Sequence, residues 1–142
     1  MSRLRANVSK TPAITLTRYA IESDNVAYII TTNKALKYLN GKSRIAYIGH
    51  TTKGASRLAT STFERADLLS IHGVNELSVF CVSAEVQRDH NTANKLESAL
   101  LVTFAEVYGE LPVGNKKSGG QKDWQEFFRP ERIRAILEQF EQ

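Results

Sequence analysis

The feature that most limits how this chain can fold is a change of hydrophobic period at Gly49. Before it, residues 26–32 and 44–49 are rich in β-branched and aromatic side chains and read as an antiparallel pair of strands. After it, Ala55, Leu58, Ala59, Phe63, Ala66 and Leu69 recur at helical spacing. That spacing predicts a helix over about 53–70, closed by His72-Gly73. A third strand is expected over 76–83. A second helix follows, capped by Asn91 or Thr92 and running to Tyr108, with Gly109 after it. The polar connection 33–41 places Ala35, Leu36 and Leu39 at the spacing of a helical turn and closes on the turn signal Asn40-Gly41. Residues 13–19 alternate in the manner of a short strand, and 123–128 read as a short helical stretch. Pro130 opens a C-terminal helix with Ile133, Ile136, Leu137 and Phe140 on one face.

The order β-β-α-β-α with a C-terminal helix describes an α+β domain. Its sheet is small, antiparallel or mixed, with about three strands flanked by helices. A length of 142 residues suits a single domain, 1–142, with a real core, and no repeat or linker divides it. No apolar run approaches the roughly 20 residues of a membrane span. The basic residues Arg3, Arg5 and Lys10 are not followed by the apolar segment of a secretory signal. No membrane partner and a cytoplasmic location are therefore expected. The single cysteine, Cys81, lies among Leu77, Val79, Phe80 and Val82 and reads as a small core residue. A net charge of +4 is a mild basic bias, which points to a polyanion only if the charges share a face.

Three local features carry chemistry. Glu97 falls inside the apolar stripe Ala93, Leu96, Leu100, Leu101 and Phe104 of the second helix. A carboxylate there needs an ion pair, a route to water or a metal ion. Tyr28 and Tyr47 stand on neighbouring strands, where paired aromatics also serve plain packing. The segment Gly49-His50-Thr51-Thr52-Lys53-Gly54-Ala55-Ser56-Arg57 leads from a strand into a helix. Such a turn is a simple connection or a phosphate cradle, but it lacks the spacing of a nucleotide-hydrolysing loop.

Taken in order, these residues resemble the GIY-YIG nuclease family. Val26-Ala27-Tyr28 is similar to its first signature and Tyr47-Ile48-Gly49 to its second. Arg57 lies ten residues after Tyr47, where the family carries an arginine. Leu96-Glu97 matches its helical glutamate, and Pro112-Val113-Gly114-Asn115 its closing asparagine. The resemblance spans about 25–116, leaving 1–24 as an N-terminal extension and 117–142 as a C-terminal loop and helix.

The resemblance implies a metal-dependent endonuclease that hydrolyses phosphodiester bonds, with DNA as the expected substrate. Catalytic roles would fall to Tyr28, Tyr47, Arg57, Glu97 and Asn115. Glu97 would hold Mg2+ or Mn2+, and Arg57 would neutralise the scissile phosphate. Tyr28 would orient or deprotonate the attacking water, supported by Tyr47. Asn115 would anchor local backbone or contact phosphate. Gly49, His50, Lys53, Lys116 and Lys117 would meet the substrate. Arg44 and Arg65 read as peripheral.

Two departures stand out. Val26 replaces the usual glycine, and Ser61 stands where many members have a histidine. The general base is then open among His50, His72, Lys53 and His90. With so little beyond the core, specificity would be relaxed, shape-based, or supplied by a partner protein or a second copy. The competing expectation is a catalytically silent module on the same fold, binding nucleic acid or protein.

Overall fold

The computed structural model describes residues 3–13, 15, 17, 25–70, 73–84 and 91–142. Its elements are β1 (Val26–Tyr38), β2 (Gly41–Thr51), α1 (Ala55–Ser70), β3 (Leu77–Val82), α2 (Thr92–Tyr108) and α3 (Pro130–Glu138). A 3-10 turn at Trp124–Glu126 precedes α3. The sheet has three antiparallel strands in the order β2-β1-β3. This is the expected α+β class, with the mixed alternative removed. No described helix is long and apolar enough to cross a membrane.

The strand pair is longer than its apolar runs suggest. Residues 33–38 form no helical turn. They continue β1, and only Leu39 and Asn40 separate it from β2. Register irregularities after Ile30 and Thr31 absorb the mismatch between the two ends of this hairpin. Backbone pairing with β2 carries the polar stretch, which hydrophobic period alone could not indicate. The strand expected over 13–19 lies largely outside the described residues.

The two faces of the sheet are covered differently. Ala27, Ile29 and Ile48 join Leu96, Ala99, Leu100 and Phe104 of α2, together with Trp124, Ile133 and Leu137, in the main core. Every residue of the expected α2 stripe is buried. Gly109, at φ +80°, ends that helix in the left-handed conformation that suits glycine. The opposite face carries a smaller cluster of Tyr28, Ile30 and Leu58, with Tyr47 packed against it.

Helix α1 forms where expected but presents another face. Leu58 and Ser61 are buried, whereas Ala59, Phe63 and Ala66 are exposed. Of the described side chains in the predicted stripe, Leu58 is the one turned inward. Cys81, on the edge strand β3, is exposed and not the core residue expected.

Candidate active site

Four consecutive residues of β2, Tyr47 to His50, carry the candidate site. Side chains alternate across a strand, so Tyr47 and Gly49 face α1 while Ile48 and His50 face α2. The segment spans about 10 Å at the usual rise per residue.

On the α1 face, Tyr28 pairs in register with Gly49. A Cβ at Gly49 would stand 2.7 Å from Cζ and Oη of Tyr28 and 2.9 Å from Cε1 of Tyr47. Glycine is therefore needed for both rings to lie over the strand. The ring centroids are 5.9 Å apart. The Tyr28 hydroxyl donates to Ser61 Oγ at 2.8 Å, which gives the polar residue of α1 its reason to face inward. Burial pushes the Tyr28 phenol up to about 12, although Ser61 and Arg65 oppose the rise. It stays neutral near pH 7, which favours orienting a water over removing its proton.

Arg65 completes this cluster. Its guanidinium carbon lies 3.8 Å from the Tyr47 ring centroid. From the sequence alone this residue reads as peripheral. The signal was its place four residues after Ser61 on a helix, but only the orientation of α1 gave that spacing meaning. Arg57 is exposed one turn before Ser61, and Lys53 is also exposed. The Lys53 backbone N–H donates to Thr51 Oγ1 at 2.9 Å, so this amide of the turn is already satisfied.

Asn115 holds the outer edge of β2. Its Oδ1 accepts from the Ile48 N–H at 3.0 Å and its Nδ2 donates to the Ile48 carbonyl at 2.9 Å. Gly114 N–H donates to the Ala46 carbonyl at 2.7 Å alongside. Of the two expected roles for Asn115, backbone anchoring is the one its geometry serves. The exposed Lys116 and Lys117 follow directly.

On the α2 face, His50 Nδ1 donates to Glu97 Oε2 at 2.8 Å. The imidazole is a third exposed and the carboxylate 18% exposed. This hydrogen bond raises the His50 pKa above its usual value, against a smaller opposing effect of burial. Among the described residues the ion-pair partner of Glu97 is thus a histidine. His72 and His90 lie outside the described residues.

The structure therefore brings Tyr28, Tyr47, Gly49 and Ser61 together with Arg65, and separately joins His50 to Glu97. The two groups occupy opposite faces and meet through β2. Among the described residues no three His, Cys, Asp or Glu side chains gather to hold a metal ion. The donor set nevertheless fits a sparsely ligated hard cation. Glu97 is partly exposed, and among the described residues only its Oε2 engages protein. Mg2+ commonly takes one or two carboxylates and completes its shell with water and phosphate. Comparison of the chain with protein-family models, curated proteins and solved structures gives no match in any of the three.

Proposed function

We propose that this chain is a metal-dependent endonuclease that hydrolyses phosphodiester bonds in DNA. One observation carries the reading: Ile48, Gly49 and His50, consecutive in β2, contact Asn115, Tyr28 and Glu97 respectively. Through them one short piece of β2 links Tyr28 on one face of the sheet, Glu97 on the other and Asn115 at its edge. A domain that only packed aromatics across a sheet would not need this polar convergence.

The chemistry follows from the side chains. The neutral Tyr28 hydroxyl, its proton given to Ser61, orients a water as an acceptor, with Tyr47 beside it. Arg57 supplies positive charge to a phosphate at the start of α1, and Lys53, Lys116 and Lys117 meet flanking backbone. Glu97 is the residue that would hold Mg2+ or Mn2+. When bound, such an ion stabilises charge on the attacked phosphate and the leaving oxygen. His50 steadies the carboxylate. One such site cuts one strand, so a double-strand break takes two copies or two events.

The test is cleavage of supercoiled plasmid with magnesium or manganese, comparing wild type with Glu97→Ala and Arg57→Ala. Wild type should nick the plasmid, EDTA should stop it, and both variants should lose at least about 100-fold in rate while remaining folded. The His50–Glu97 bond favours a second reading, a silent binding module, because it gives the carboxylate a purely structural partner. Salt-sensitive DNA binding without cutting, across metals and substrates, would decide for that module.

A further inference from the structure

Among the described side chains of α1, burial does not follow hydrophobicity. Phe63 is 52% exposed, while Ser61 is fully buried and the Arg65 side chain is only 22% exposed. Turning Phe63 inward and leaving Arg65 in water would bury more apolar surface and spare a cation its desolvation. The helix instead delivers a guanidinium to the tyrosine pair.

That guanidinium is only partly satisfied by the described residues. Among the described residues only Nη1 finds acceptors, the Ser61 carbonyl at 3.4 Å and Glu64 Oε2 at 3.2 Å. The first of these is long and weak. Nε is covered and has no acceptor among the described residues. The contact with the Tyr47 ring face engages the charge without using the group's hydrogen-bonding capacity. Tyr28, Tyr47, Ser61 and Arg65 thus form a cationic, hydroxyl-rich cluster held by the β2 glycine.

We propose that Arg65 binds a phosphate oxyanion beside the Tyr28–Tyr47 pair, making it a second substrate-binding arginine distinct from Arg57. The fork of N–H groups suits a phosphate oxygen. Identifying that phosphate as nucleic-acid backbone rests on the endonuclease reading. The anion site itself rests only on the geometry of α1 and β2.

The experiment follows the arginine Nε–H signals of the full-length, metal-free protein by two-dimensional proton–nitrogen NMR. Arg65→Lys assigns the Arg65 signal. The probes are a short oligothymidylate and, separately, inorganic phosphate. The Arg65 signal should shift saturably with the oligonucleotide and need far higher concentrations of inorganic phosphate. Equal response to both probes would still support the oxyanion site and identify free phosphate as its ligand. A stationary Arg65 signal while other signals move would overturn the proposal. In the plasmid assay Arg65→Lys keeps the charge but loses the planar fork, and should lower kcat/KM about 10- to 100-fold with Tm little changed. A shifting signal in a protein that cuts nothing would sink the endonuclease reading and leave the anion site standing. Normal cutting by Arg65→Lys with a stationary signal would do the reverse.

Discussion

The imidazole of His50 and the carboxylate of Glu97 meet at 2.8 Å, tying the end of β2 to the middle of α2. The bond raises the His50 pKa in the folded state, so its stabilisation is fully present below the unfolded value near 6.5. It is lost as pH rises through the higher folded value. Both groups are partly exposed, so the contribution should be about 1 kcal/mol or less. In metal-free buffer, thermal melts of wild type and Glu97→Gln should differ most below pH 6.5 and converge in alkaline solution. A difference that grows with rising pH would contradict the assigned partnership.

Asn115 makes paired hydrogen bonds to Ile48, whose residue is fully buried. Asn115→Ala leaves both backbone groups of Ile48 without those partners and should cost about 2–3 kcal/mol. Asn115→Asp keeps the acceptor for the Ile48 N–H but sets a carboxylate oxygen against the Ile48 carbonyl. It should therefore recover little of the loss. Urea unfolding of the three proteins checks this, and full recovery by aspartate would show that only the Ile48 N–H matters.

Gly49 has no room for a methyl group under the two tyrosines. Gly49→Ala should destabilise by about 1–3 kcal/mol through overpacking. It should also displace the Tyr28 ring from Ser61. Near-ultraviolet circular dichroism reports the ring environment directly. An alanine variant with unchanged tyrosine bands and stability would mean that the rings do not lie over this strand as described.

Tyr28 gives up its hydroxyl proton only with difficulty, since burial raises it to about 12. Absorbance of phenolate at alkaline pH, taken as the difference between wild type and Tyr28→Phe, should show this residue titrating near that value. Tyr28→Phe should also cost about 1 kcal/mol for the lost bond to Ser61. Titration below 10 would instead give Tyr28 the character of a base.

Much of the architecture was readable without coordinates, because it rests on local period. The α2 stripe around Leu96, Leu100 and Phe104 is buried as its spacing predicts, and Gly109 ends the helix. Glu97 was conspicuous for the same reason, a carboxylate within an apolar stripe. What the period could not specify was the partner: His50 stands 47 residues away and reaches Glu97 only once β2 packs on α2. Nor could it orient α1, whose apolar spacing favours Phe63 inward while the tertiary structure turns Ser61 and Arg65 to the tyrosines. Residues 33–38 likewise became strand through pairing with β2, against a helix-like spacing. Sequence by itself determined the elements and their order, since backbone preference and hydrophobic repeat act over a few residues. Tertiary structure decided which side chains meet, because that depends on the surface each element finds opposite it.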